Sequence, residues 1–311
     1  MDYNKPIYNL YYDWWKNIDK FIFSLIILLF ATGLFFSLVS TSLLVSDKLD
    51  TNDYAFFFRH LSFVFLGIII IFILSSINEV RLFKISPLIF LLSLISLFLV
   101  PIIGVEVNSA QRWIDLYLLP RFQPIEIVKP FLIILISLIL CNEKYNNIYF
   151  KYLSSFLITL MIGLLLAAQP DIGQTLLVFF SWSVLIFISG INVIFLIFSS
   201  LILFITLYFL IRFVPKFAYI KNRILSFFNS ETGTHNAQSE KAIDSISSGG
   251  YFGKGIGEGT LKNSVPEAHT DYIISVISEE FGVIAIILII LIFLIFVYAV
   301  LKKFLWKTRK E

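Results

Sequence analysis

Eight stretches of almost unbroken apolar sequence constrain this chain more than any other feature. They lie near residues 21–45, 61–77, 87–104, 126–141, 150–168, 173–190, 191–214 and 272–301. A helix needs about 20 mostly apolar residues to cross a bilayer, whereas a barrel strand needs only about 9–11 and alternates in polarity. These runs do not alternate. In hydrocarbon every backbone N–H and C=O must find its partner within the protein, which leaves helices as the solution for such runs. The expected fold is all-α, a polytopic transmembrane helical bundle of about eight spans.

Composition excludes the other broad classes. Of 311 residues 58% are hydrophobic and only 14% charged, against about 25% charged in a typical soluble domain. A soluble enzyme of this length lacks the polar surface it would need, and a disordered or nucleic-acid-binding chain is excluded with it. The net charge of +3 is too small to call for a polyanionic partner. Cys141 is the only cysteine, so an intramolecular disulfide and a multi-cysteine metal cluster are excluded.

Basic residues set the orientation. With the N-terminus in the cytoplasm and the spans alternating, Lys5, Lys16, Lys20, Arg81, Lys84, Lys144, Lys151, Lys302, Lys303, Lys307, Arg309 and Lys310 fall inside. Only Lys48, Arg59, Arg112 and Arg121 fall in short outer loops. The positive-inside rule therefore predicts both ends in the cytoplasm. The first run is expected to stay as an anchor, since its aromatic, mixed-charge start and its length do not suit a cleaved signal peptide. The chain is read as a single integral membrane domain, 1–311. It has an interfacial N-terminus over 1–20, a long extracytoplasmic loop over 215–271 and a basic cytoplasmic tail over 302–311.

Charged side chains inside such spans are costly and point to function. Glu126 and Lys129 open the fourth run at a spacing that puts them on one helix face, where they can pair. Asp171 follows Gln169-Pro170 where the sixth run begins, and Asp271 sits at the start of the last. Each of the two aspartates could simply cap a helix. The predicted topology, however, brings Glu126, Lys129, Asp171, Asp271 and the loop residue Arg112 to the outer face. That gathering suits a polar, anionic headgroup. The glycine run Ser248-Gly249-Gly250-Tyr251-Phe252-Gly253-Lys254-Gly255 is no Walker loop, because Gly255 follows Lys254 where Ser or Thr is required. It reads as a tight backbone turn, with Lys254 available to an extracytoplasmic phosphate. His60, His235 and His269 show no metal-ligand spacing.

Four ordered motifs carry a resemblance to a known family. They are Ala110-Gln111-Arg112-Trp113-Ile114 with Phe122-Gln123-Pro124-Ile125-Glu126-Ile127-Val128-Lys129; Gln169-Pro170-Asp171-Ile172-Gly173; the glycine run; and Pro266-Glu267-Ala268-His269-Thr270-Asp271. Together they resemble the signatures of the SEDS family, which includes FtsW, RodA and SpoVE. The last motif, Lys129-Pro130 and Gly173-Gln174-Thr175 lean towards the FtsW branch, while Gln111-Arg112-Trp113-Ile114-Asp115 leans towards RodA. Ile125 stands where the family has a serine. Family members usually have ten spans, so this chain is expected to stop short of the last hairpin.

The resemblance implies a peptidoglycan glycosyltransferase of the bacterial inner membrane, acting at the division septum. It would polymerise lipid II into glycan strands on the outer face. Implied partners are a class B penicillin-binding transpeptidase, other division proteins and membrane lipids, with no nucleic acid. Asp271 is the expected catalytic base. Arg112, Glu126, Lys129, Asp171, Lys254, Glu267 and His269 are expected to bind the substrate. No cofactor is required, although magnesium or manganese would assist a pyrophosphate leaving group. A RodA-like elongation polymerase, a lipid II flippase and a non-catalytic division scaffold are the alternative readings.

Overall fold

A computed structural model of the chain describes residues 12, 14–41, 55–107, 110–115, 121–143, 147–191, 193–214, 221, 234–265, 268 and 271–308. In order, the elements are α1 (Lys20–Thr41), α2 (Ala55–Ser76), α3 (Glu79–Ile103), β1 (Val105–Val107) and β2 (Ala110–Trp113). Then come α4 (Pro124–Cys141), α5 (Ile148–Ala168), α6 (Ile172–Ile188), α7 (Val193–Phe213), α8 (Thr234–Ser248), a 3-10 turn (Leu261–Ser264) and α9 (Ile273–Thr308). Seven of these helices are long and apolar enough to cross a membrane, and α6 adds a shorter apolar helix. Each of the eight runs of the sequence has become a helix. Large apolar side chains such as Phe65, Ile188, Ile194 and Phe204 stand exposed along them. A surface like that is stable against lipid and not against water.

Polar residues that hydropathy does not register decide where the helices begin. The third run reads apolar only from residue 87, yet α3 starts at Glu79, because the Asn78 side chain caps it by accepting from the Val80 N–H at 3.3 Å. Arg81 and Lys84 therefore lie inside the helix. In the same way Asn147 accepts from the Tyr149 N–H at 2.9 Å and starts α5. A capping side chain satisfies one of the four orphan donors of a helix start, typically stabilising it by about 1 kcal/mol.

The chain divides into two compact units, Met1–Ser76 with Leu225–Glu311, and Ile77–Ile224. In the second unit α3, α4, α5 and α6 share a core that includes Leu97, Ile125, Val128, Ile136, Ile162, Leu166, Val178 and Ile186. Buried polar groups within it are paired: the Trp182 indole N–H donates to the Ser155 hydroxyl at 3.1 Å. Gly163 lets α5 and α6 close up, since a Cβ there would meet the Phe179 ring at 2.5 Å.

In the first unit, α1 and α9 run side by side. The Lys303 ammonium pairs with Asp19 at 2.8 Å, at the start of α1 and near the end of α9. Trp14 packs there against Trp15, Phe23 and Phe72, and its indole N–H donates to the Ser75 hydroxyl at 2.7 Å. Aromatic side chains with one polar atom collect at membrane–water interfaces. About 24 Å further along α1, at 1.5 Å per residue, Phe35 and Phe36 meet Phe281 edge to face. The start of α1 and the end of α9 thus share one end of this unit, in keeping with the placement of the basic residues, and Phe281 lies at the other.

Asp19 offers a pH test. Its carboxylate is held below the usual value by the hydrogen bond from Lys303, with a further contribution from the Ile22 N–H that it caps. A depressed carboxylate stabilises the fold above its ordinary pKa, and the stabilisation fades as pH falls through the lowered value. The wild-type melting temperature is expected to approach that of Asp19→Asn at strongly acid pH and to exceed it slightly at neutral pH. Melting curves of the detergent-solubilised pair across pH check this.

Two features depart from the sequence expectation. The loop over 215–271 contains a helix, α8, whose buried positions Ala242 and Ser245 are too small and polar to register as an apolar face. The last run is not continuous either. At Gly282, φ is 77° and ψ 176°, so α9 is a short half-helix followed by a long one.

Candidate functional site

The second unit brings together Arg112, Glu126, Lys129 and Asp171. Pro124 starts α4 at a position where its missing N–H costs nothing. Glu126 and Lys129, one turn apart, form an ion pair of 2.8 Å. The Gln174 side chain locks that pair to α6: its carbonyl oxygen accepts from Lys129 at 3.0 Å and its amide donates to Glu126 at 3.1 Å. Asp171 caps α6, its carboxylate accepting from the Gln174 N–H at 3.5 Å. The other carboxylate oxygen accepts from the Gln123 side-chain amide at 3.0 Å and lies 3.6 Å from Arg112.

Arg112 reaches this point because β2 carries it back over the bundle from the end of α3. Its guanidinium donates to the backbone carbonyls of Pro170 at 2.5 Å and Gln169 at 3.5 Å. The Gln169 side chain in turn donates to the Leu97 carbonyl at 3.2 Å, tying the α5–α6 turn to α3. A chain of hydrogen bonds and ion pairs therefore runs from Glu126 through Lys129, Gln174 and Asp171 to Arg112. Asp171 is both a helix cap and an ion-pair partner. Its side chain is 10% exposed, that of Glu126 54%.

Three glutamines, Gln123, Gln169 and Gln174, carry no charge and so do not stand out in the sequence as site residues. Each nevertheless lies in a motif that does, and each amide supplies both a donor and an acceptor, as a mixed-charge cluster requires. Chemically the cluster presents two cations, Arg112 and Lys129, each paired with a carboxylate, Asp171 and Glu126. Such a site is suited to an anion such as a pyrophosphate, because its donors need little reorganisation when charge develops.

Asp271 belongs to the first unit, exposed and two residues ahead of α9. Glu267 and His269 lie outside the described residues. The Lys254 ammonium sits 3.0 Å from Glu279, whose side chain is 0% exposed. Among the described residues no three His, Cys, Asp or Glu side chains gather as a metal cage.

The glycine run explains the break in α9. At Gly282 the first half-helix has carbonyls with no helical donor, and the second has N–H groups with no helical acceptor. Lys254 N–H donates to the Glu279 carbonyl at 2.8 Å and Gly255 N–H to the Glu280 carbonyl at 3.1 Å. Going the other way, Val283 N–H donates to Gly250 at 3.0 Å and Ile284 N–H to Tyr251 at 3.4 Å. The loop splices the two halves. It can do so only at backbone contact: a Cβ on Gly249, Gly253 or Gly282 would overlap the carbonyl oxygen of Ser278, Glu280 or Tyr251 respectively.

Comparison with known proteins agrees with this architecture. The family of cell cycle proteins comprising FtsW, RodA and SpoVE matches residues 19–308. Over 308 residues the chain is 32% identical to the "probable peptidoglycan glycosyltransferase FtsW" of Haemophilus influenzae, covering 94% of this chain and 76% of that one. The protein of the same name from Wigglesworthia glossinidia brevipalpis is 33% identical over 272 residues, covering 86% and 70%. Among solved structures, a chain of a peptidoglycan synthase complex superimposes with a TM-score of 0.66 at 21% identity, covering 91% of this chain and 77% of that one. The rod shape determining protein RodA of Thermus thermophilus gives 0.60 at 23%, covering 92% and 74%. The fold and its polar sites define a polytopic membrane protein of all-α class. The chain belongs to the FtsW, RodA and SpoVE family.

Proposed function

We propose that this chain is a peptidoglycan glycosyltransferase that polymerises lipid II at the outer face of the bacterial inner membrane, during cell division. The observation that carries the reading is the rigid Arg112–Asp171–Gln174–Lys129–Glu126 chain in a protein about one-third identical to FtsW relatives. In the reaction the 4-hydroxyl of an acceptor sugar attacks the anomeric carbon of a lipid-linked chain. The glycosidic bond forms, the bond to the pyrophosphate oxygen breaks, and undecaprenyl pyrophosphate leaves with the electron pair. Asp271 takes the hydroxyl proton as general base. Arg112 and Lys129 meet the charge that grows on the pyrophosphate. Glu126 orients Lys129, and Asp171 orients Arg112.

The lipid tail lies between spans, so that only the headgroup enters this site. A class B penicillin-binding transpeptidase is the partner that crosslinks the strands, and the division septum is where the pair acts. A divalent cation on the pyrophosphate would share the charge with the two basic residues.

The test is reconstitution in proteoliposomes with lipid II and the partner transpeptidase. Glycan strands are the expected product, and translocation of fluorescent lipid II without polymer would replace this reading with a flippase. Arg112→Ala is expected to lower kcat about a hundredfold, the usual effect of deleting one preorganised donor. Turnover at the wild-type rate would remove Arg112 from the leaving-group role.

A further inference from the structure

We propose that Glu279 is a positioning residue, whose buried carboxylate clamps the chain that leads to Asp271. It rests on the reading of Asp271 as base and extends it to a group that no motif of the sequence contains.

The geometry is that of a hub. Glu279 lies on the half-helix of α9, 0% exposed. One carboxylate oxygen accepts from Lys254 Nζ at 3.0 Å and from the backbone N–H groups of Thr260 and Leu261, both at 2.9 Å. The other accepts from the Ser245 hydroxyl of α8 at 3.0 Å. Four donors thus come from three separate stretches: α8, the glycine loop and the entry to the 3-10 turn. Glu280 adds one more, accepting from the Gly257 N–H at 3.2 Å. Only an ionised carboxylate is acceptor-only at both oxygens, and charge-assisted bonds of this kind are about twice as strong as neutral ones. Gly259 keeps the approach open, since a Cβ there would stand 2.9 Å from the Glu279 carboxyl carbon.

The consequence reaches Asp271 from both sides. The half-helix carrying Glu279 begins at Ile273, two residues after Asp271. The chain that approaches Asp271 from the other direction leaves the clamp at Leu261. Pinning Leu261 to Glu279 therefore closes a stretch of chain that includes Asp271. Glu279 is roughly 9 Å of helix rise from Ile273, so it acts through the backbone and not on the reacting atoms. Lys254 then serves as the counter-ion of Glu279. Its charge compensates a buried carboxylate, where loss of one partner is costly.

The experiment compares Glu279→Gln, Lys254→Met and the double variant with wild type. Amide hydrogen exchange and lipid II turnover are both measured. Glu279→Gln is expected to speed exchange at Thr260 and Leu261, and to lower kcat about tenfold or more while KM changes less than about twofold. The double variant, neutral at both positions, is expected to recover part of what Lys254→Met loses. It also keeps the test open if a single variant fails to fold. Wild-type exchange at Thr260 and Leu261 in Glu279→Gln, or in the double variant, would overturn the clamp. A raised KM at constant kcat in Lys254→Met would overturn the counter-ion role of Lys254 and make it a substrate contact. A wild type that forms no strands defeats the Asp271 reading alone, because the exchange measurement decides the clamp without activity.

Discussion

Asp271→Asn is expected to abolish glycan polymerisation while leaving membrane insertion and complex formation intact. The amide keeps the shape and hydrogen-bonding reach of the carboxylate but cannot take the acceptor hydroxyl proton. A positioned general base contributes about 10²–10⁴ in rate, so the residual turnover should fall by that factor. Asp271 is exposed, beyond the α9 half-helix rather than within it, so the substitution buries no unpaired group. Loss of activity therefore reports chemistry and not collapse of the fold. The measurement is strand synthesis in proteoliposomes, alongside detergent melting and co-purification of the transpeptidase. Normal strands from this variant would remove Asp271 as base. Complementation of division by it would favour a scaffold.

Gly282→Ala is expected to destabilise the first unit severely, by about 3 kcal/mol or more. Two independent penalties act at this position. A backbone φ of 77° with ψ of 176° belongs to a region essentially confined to glycine, and strain of that kind costs about 1–3 kcal/mol. In addition the new Cβ would overlap the Tyr251 carbonyl oxygen and crowd the Gly253 N–H. Backbone atoms cannot swing aside as a long side chain can, so the splice has to open. Native stabilities are about 5–15 kcal/mol in total, which makes the loss visible as a lower melting temperature and yield. Gly257→Ala is the control. Its Cβ would meet open space, so only the strain of its positive φ remains. A Gly282→Ala protein that melts like wild type would show that the splice carries no stability.

Local spacing makes much of the polar cluster legible in the sequence. The i,i+3 separation of Glu126 and Lys129 implies their pairing, because a helix turn brings such residues together wherever the helix lies. Asp171 after Gln-Pro implies a helix start for the same local reason. The partners across elements are not legible in this way. That Gln174 bridges Glu126 and Lys129, or that Arg112 meets the Gln169 and Pro170 carbonyls, depends on α4, α6 and β2 being packed side by side. Glu279 is hidden in the sequence because most of its neighbours there are apolar or uncharged and its partners are 18 to 34 residues away.

Hydropathy along the chain is enough to define the class of fold and the number of apolar helices. Hydropathy and helix rise are local quantities, and a bilayer admits few other solutions. The uneven placement of Lys and Arg likewise predicts an orientation without reference to packing. The break in the last apolar run, and its repair by the glycine run, emerge only from the three-dimensional arrangement. A break leaves carbonyls and N–H groups that must be satisfied by other backbone, and which backbone comes near enough depends on the packing of a distant loop. The glycines that look in sequence like a simple turn are the places where side chains are left out so that two stretches of main chain can touch.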